Sequence, residues 1–296
     1  MVTIHIIDAF TGVAGTGNRA GVVLDADGLT TADMQAIAGF AGFSETAFIL
    51  SAKGEDHDLH VRYFTPSIEV PICGHATIAS HFLRTSLSGS KSYPVNVLTG
   101  AGILPVGVSG RGKDLRVSMT QGAVDYGPTI AAGDLDDMAV ALGMKSADYH
   151  DGLPAQIVST GHSKVIIPIR SRQVLDTLEP NPDALTALSQ KIGCNGFFPF
   201  ALEGTPESPE TYGRMFAPAI GIFEDPVTGN ANGPTAAYLV KHGVIKLNNT
   251  FSYQGHQGHK MGRPGTVHVT LSKAGPDLKV QVSGQAVRAG ELIYRP

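Results

Sequence analysis

Short apolar or alternating runs, punctuated by Gly and Pro, recur along this chain and are interrupted by a few stretches at helical spacing. The strand-like runs are Ala20–Leu24, Ala47–Ser51, Leu59–Phe64, Tyr93–Leu98, Ile103–Val108, Leu115–Met119, Val165–Pro168, Phe197–Leu202, Tyr212–Phe216, Thr266–Ser272 and Leu278–Ser283. Helical spacing appears at Met34, Ile37, Ala38 and Ala41, with Thr30 or Thr31 available as N-cap. It returns at Leu185, Leu188 and Ile192, behind an opening Pro182–Asp183. Two further helices are predicted to start at Gly74 and Gly229. In the first, Ala76, Ile78, Ala79, Phe82 and Leu83 cover nearly every face; PTAAYLV in the second is alike, with Pro234 read as sitting in the first turn. A helix that is apolar all round belongs inside a domain, so each is predicted to be wrapped by a curved sheet.

The chain repeats itself once. RYFTPSIEVPICGHATIASHFL from Arg62 resembles RMFAPAIGIFEDPVTGNANGPTAAYL from Arg214, 152 positions later. GFSETAF from Gly42 answers GCNGFF from Gly193 at an offset of 151, and GNRAGVVL from Gly17 answers GHSKVIIPI from Gly161 at 144. A loop around Arg170–Pro182 is expected to absorb the difference. Two long copies mean a duplicated domain and not a solenoid. The boundary is expected in a turn over Gln121–Pro128, dividing the chain into halves 1–124 and 125–296, with the last strand free to return to the first half. The fold class is α+β.

Composition narrows the class of partner. With 42% hydrophobic and 16% charged residues, the chain has the balance of a globular protein with a large core. Its net charge of −4 and the lack of any basic stripe argue against a nucleic-acid partner. No apolar run is long enough to span a bilayer, and MVTIHIIDAF has no basic leader region, so cytoplasm and no membrane partner are the expectation. In that compartment Cys73 and Cys194 stay thiols.

Several motifs are read on their context. GTGNRA (Gly15–Ala20) matches a dinucleotide fingerprint, but a strand follows where that fingerprint needs a helix; a tight turn presenting Asn18 is the better reading. HDLH (His57, His60) and GHQGHK (His256, His259) have ligand-like spacing and are read as solvated loop histidines, so no metal and no cofactor are expected. CGHAT and TGNAN each place a glycine at a helix start, where first-turn N–H groups point outward. Gly74 and Ala76, with Gly229, Asn230 and Ala231, are therefore candidates to hold a substrate carboxylate, the two starts being expected to face one cleft. Glu45, between Phe43 and Phe48, is the candidate base; its repeat partner is Gly196, so it acts from one side only. Asp225 and His75 flank the two helix starts, while Glu69 is set aside as a structural partner. Cys73 lacks an opposed thiol, because Thr228 stands at its repeat position.

At these residues the sequence resembles the phenazine-biosynthesis PhzF-like family, within it the YddE subgroup. The matching words are GNRAGVV, SETAF, RYFTPSIEVPICGHAT, TGHSKV, GCNGFFPF and MFAPAIGIFEDPVTGNANGP, in order over nearly the whole chain. The resemblance implies a diaminopimelate-epimerase-like fold of two domains, a site between them, and a homodimer. It implies that Glu45 shuttles a proton between carbons of a small carboxylate, as its match does on trans-2,3-dihydro-3-hydroxyanthranilate, with His75 and Asp225 assisting. Asn230 stands where the family usually has Ser, and its longer amide alters the pocket. An isomerase is thus the leading expectation. An amino-acid epimerase or racemase and an inactive small-anion-binding protein are the alternatives.

Overall fold

The computed structural model describes residues 1–89, 94–205, 207–275 and 277–295. Two compact units divide it: unit 1 is Met1–Thr120 with Ser283–Pro296, and unit 2 is Gln121–Val282.

Unit 1 opens with β1 (Val2–Ala9), which the strand-like runs above did not include; its Ile4 and Ile7 are fully buried. A turn with Gly15 and Gly17 at positive φ leads to β2 (Asn18–Val23). Gly17 is required there, since a Cβ would lie 2.3 Å from the Ala9 carbonyl oxygen. The helix α1 (Thr31–Ala41) follows, closed by a capping box: Asp33 N–H donates to Thr30 Oγ1 at 3.2 Å, and Thr30 N–H to Asp33 Oδ2 at 2.9 Å. Then come β3 (Thr46–Ser51), β4 (Leu59–Phe64), the short β5 (Glu69–Val70) and α2 (Gly74–Ser88). The hairpins β6 (Val95–Thr99), β7 (Gly102–Ser109) and β8 (Arg116–Thr120) complete this stretch. Tyr93, where the sixth strand was expected to begin, lies outside the described residues.

Unit 2 contains β9 (Asp125–Thr129), α3 (Ala132–Leu142), β10 (Gln156–Ser159), β11 (Lys164–Ile169), α4 (Arg172–Thr177) and α5 (Pro182–Ile192). Next are β12 (Phe197–Thr205), β13 (Ser208–Gly213), β14 (Met215–Ala217), β15 (Ile222–Asp225) and α6 (Gly229–Lys241). The unit closes with β16 (Thr250–Gln257), β17 (Gly265–Ala274) and β18 (Asp277–Gly284), which carries the chain past Val282. The chain then returns to unit 1 as β19 (Ala286–Tyr294), antiparallel to β1.

The duplication is written in the strand pairings. In unit 1 the order β1-β2-β3-β4-β6-β7 alternates antiparallel, parallel, antiparallel, parallel, antiparallel. In unit 2 the order β10-β11-β12-β13-β16-β17 has the same sequence of directions. Each parallel pair needs a crossover, and the helices supply it: α1 and α2 in unit 1, α4–α5 and α6 in unit 2. The two central helices are buried along most of their length, α2 against β1, β2, β3, β8 and β19, and α6 against β10, β11 and β17. This is the α+β, diaminopimelate-epimerase-like architecture, a sheet curved around a helix in each unit.

Five expectations need correcting. The Arg170–Pro182 loop contains α4, started by Ser171 Oγ accepting from Val174 N–H. The Gln121–Pro128 turn already carries β9 from Asp125. The run Tyr212–Phe216 breaks at Arg214, whose guanidinium is pulled into the core to pair with Glu224. Pro234 lies in the second turn of α6, not the first; its ring would meet the carbonyl of Asn230, four residues back, and Asn230 is non-helical (ψ 16°), which relieves that clash. Two of the four histidines are not loop residues, His60 being in β4 and His256 in β16, both half-buried; His57 lies in a loop but is packed there while bonding Asp56, and His259 is an exposed turn residue, as expected.

Candidate active site

The first-turn geometry of α2 and α6 is the feature that distinguishes them. The residues before them, Cys73 and Thr228, are extended N-caps, and neither side chain caps its helix. Their carbonyls are held from four residues on by the same device: Thr77 Oγ1 donates to Cys73 O at 2.7 Å, and Asn232 Nδ2 to Thr228 O at 2.9 Å. A buried tyrosine anchors each brace, Tyr63 on Thr77 Oγ1 (2.7 Å) and Tyr253 on the Asn232 carbonyl (2.8 Å). Such starts keep first-turn N–H groups and the positive end of the helix dipole available for an anion.

At the start of α2 four side chains form a chain. Glu45, in the loop before β3, brings Oε2 to 3.4 Å from His75 Nε2, and Ser44 Oγ lies 3.4 Å from the same nitrogen. On the other edge of the ring, Nδ1 lies 3.4 Å from Cys73 Sγ. The side chains of His75 and Glu45 are 9% and 16% exposed, so the contact is desolvated on most sides while Glu45 keeps a face open. Glu45, Cys73 and His75 are the one trio of metal-type donors within 4.8 Å of each other among the described residues. Thiol and carboxylate lie against opposite nitrogens of the one imidazole. Sequence reasoning weighed Cys73 only against a second thiol and missed its contact with His75; a Cys-x-His pair straddling a helix start was the available signal.

The remaining candidates fall as follows. Gly74 is the first residue of α2 and Ala76 is fully buried in its first turn. Asn18 opens β2 and is 2% exposed. In unit 2, Asp225 ends β15, where it accepts a short hydrogen bond from Thr228 Oγ1 and its backbone carbonyl accepts from Gln257 Nε2 at 2.7 Å. Gly229 gives its carbonyl to Gln121 Nε2 (3.1 Å), and Asn230 Oδ1 accepts from Thr160 Oγ1 (3.3 Å). Ala231 departs from expectation: its N–H is spent on the Thr228 carbonyl at 3.1 Å, because the first turn is tightened at Asn230. Gln121, Thr160 and Gln257 were not foreseen. Glu69 is held by Arg62 through two 2.7 Å bonds, the structural role set aside for it.

A comparison with protein families decides the kinship. The model of the phenazine biosynthesis-like protein family, PhzC-PhzF, matches residues 7–291. The chain belongs to that family. This PhzC-PhzF protein is 47% identical over 286 residues to a Salmonella typhimurium protein named uncharacterized isomerase YddE, covering 96% of this chain and 95% of that one. It is 31% identical over 288 residues to the trans-2,3-dihydro-3-hydroxyanthranilate isomerase of Pseudomonas fluorescens, with 96% of both chains covered. The solved structure of a Bacillus anthracis phenazine biosynthesis protein of the PhzF family matches it with a TM-score of 0.90 at 31% identity, over 98% of each chain. The PhzC-PhzF protein is accordingly an isomerase-family enzyme. Among the described residues no helix is long and apolar enough to cross a membrane.

Proposed function

We propose that this enzyme isomerises a small carboxylate-bearing substrate by moving one proton, with Glu45 as the single carrier. The observation that supports it is the Glu45–His75 contact beside the uncapped start of α2. A carboxylate there takes a proton from a carbon conjugated to the substrate's carboxylate. The electron pair moves onto that conjugated system, and charge builds on oxygen. First-turn N–H groups at Gly74–Ala76 favour this charge because they are fixed before it forms. Glu45 then returns the proton to another carbon on the same face, the electrons flow back, and nothing else is consumed. His75 holds the carboxylate in place through Nε2. Asp225, Asn18, Gly229 and Asn230 are proposed to hold the substrate. The enzyme is proposed to work as a homodimer without metal or organic cofactor. Trans-2,3-dihydro-3-hydroxyanthranilate, which one relative's name gives as its substrate, belongs to the class envisaged.

One observation favours a second reading. Cys73 Sγ lies 3.4 Å from His75 Nδ1, so a thiol acting as base would make the enzyme an epimerase. A panel of small carboxylates incubated in heavy water, with deuterium uptake followed by mass spectrometry, separates the two. Glu45→Gln keeps size and hydrogen bonding without basicity and should lose about 10²–10⁴-fold in exchange and turnover. Cys73→Ala should lose far less. Normal exchange by Glu45→Gln together with a dead Cys73→Ala variant sinks the single-carboxylate mechanism.

A further inference from the structure

Backbone register identifies what unit 2 has where unit 1 has Glu45. In unit 1, β2 and β3 set Gly21 opposite Thr46, and Gly21 N–H donates to the Glu45 carbonyl at 3.1 Å. In unit 2, β11 and β12 set Val165 opposite Phe197, and Val165 N–H donates to the Gly196 carbonyl at 2.7 Å. Gly196 is therefore the backbone counterpart of Glu45, and Lys164 that of Ala20. The glycine has a steric reason. A Cβ at Gly196 would lie 2.4 Å from Lys164 Cδ, 3.0 Å from its Cε and 2.7 Å from Met215 Cε. The missing side chain at 196 is what lets the lysine stem lie across this strand start. Unit 1 thus has a carboxylate at this strand start and unit 2 an ammonium.

That ammonium is in an unusual setting. Lys164 is 3% exposed, and its Nζ donates to His162 Nδ1 at 3.3 Å and to the Ser163 carbonyl at 3.2 Å, both neutral acceptors. Lysine is almost never buried to this extent unless a charge is provided for it. Burial drives its pKa from 10.5 down to about 8, against the opposing pull of Cys194 and Asp225. The charge of Lys164, with burial second, lowers the pKa of His162, which keeps Nδ1 an acceptor. His162 itself is exposed, so the group covering Nζ is one that can turn aside.

We propose that Lys164 is a binding cation for the carboxylate of a small anionic substrate, which replaces His162 at Nζ. The proposal rests on the proton-transfer reading only for its choice of ligand class. The charged or titratable groups that face the ammonium are His162 before β11, Cys194 before β12 and Asp225 at the end of β15. A bound carboxylate adds an opposite charge and raises the lysine's pKa.

The probe is malonate, and the readout is the pH titration of ¹³Cε-labelled lysines by NMR on the full-length protein. Lys164 is the signal absent from Lys164→Met, a variant that keeps the apolar stem. Its titration midpoint should rise by about one pH unit or more in saturating malonate. Malonate affinity should fall about tenfold to a hundredfold in Lys164→Met. The rise should persist in Glu45→Gln, so a failure of the Glu45 mechanism leaves this result standing. Should Lys164→Met not fold, the wild-type titration decides alone, since Lys164 is the one lysine among the described residues with a pKa lowered from 10.5. A Lys164 midpoint that malonate does not move overturns the proposal.

Discussion

The duplicated arginines offer a controlled comparison of one ion pair in two environments. Arg62 holds Glu69 through Nε and Nη2 at 2.7 Å each, and Arg214 holds Glu224 through the same atoms at 2.9 Å. Each guanidinium also lies over the phenylalanine two residues on, Phe64 at 5.1 Å and Phe216 at 4.9 Å. Burial is what differs: side-chain exposures are 20% and 41% for the first pair, 6% and 9% for the second. Arg214 further donates Nη1 to the carbonyls of Leu175 and Leu178, at 3.2 and 2.9 Å, closing the C-terminal end of α4. Arg214→Met therefore strands a buried carboxylate and two carbonyls, and should cost about 3–5 kcal/mol. Arg62→Met leaves its partner in water and should cost about 0–1 kcal/mol. Replacing both members, Arg214→Met with Glu224→Leu, should recover most of the loss, because the charge that needs compensation is gone. Urea unfolding read by circular dichroism measures all three. Equal costs for the two single variants, or a double variant worse than Arg214→Met, would refute the burial argument.

Two further outcomes are expected. His81, fully buried in α2 with both ring nitrogens unpartnered, has its pKa lowered by burial from 6.5 to about 3. The unfolded chain thus binds the extra proton through that window, and stability drains as pH falls from 6.5 toward 3, by up to about 1.4 kcal/mol per unit. His81→Leu should flatten this limb, and an acid-unfolding curve unchanged from wild type would contradict the assignment. Thr30→Ala removes the capping box of α1 and should cost about 1 kcal/mol by thermal or urea unfolding, an unaltered midpoint counting against the cap.

The elements legible from the chain were those with strong periodicity or strong punctuation. Gly74 and Gly229 marked helix starts because the apolar run behind each has no polar face, and Pro182 marked α5 because a proline is favoured at the first helical position. β1 was not read from the chain: in VTIHIIDA the fully buried Ile4 and Ile7 are three apart, which does not fit the alternation of a half-buried strand. α4 was hidden by its length of six residues, too short to show a period. At the site, Glu45 and His75 were readable as types, but their contact is made between the approach to β3 and the start of α2, which no spacing encodes. Lys164 was invisible for a different reason. Its burial depends on what Gly196 lacks, and an absent side chain carries meaning only once the neighbouring strand is known.

β1 is paired on one side by β2, a few residues away in the chain, and on the other by β19, with Val2 opposite Tyr294. Between them lies the contiguous stretch that forms unit 2. Synthesis therefore delivers every residue of unit 2 before it delivers the strand that finishes unit 1. Until then β1 offers an unpaired row of N–H and C=O groups, the kind of edge that recruits a strand from another molecule. A chaperone acting on this protein as it is made would find a long-lived client surface at β1, which waits for a partner strand translated after all of unit 2.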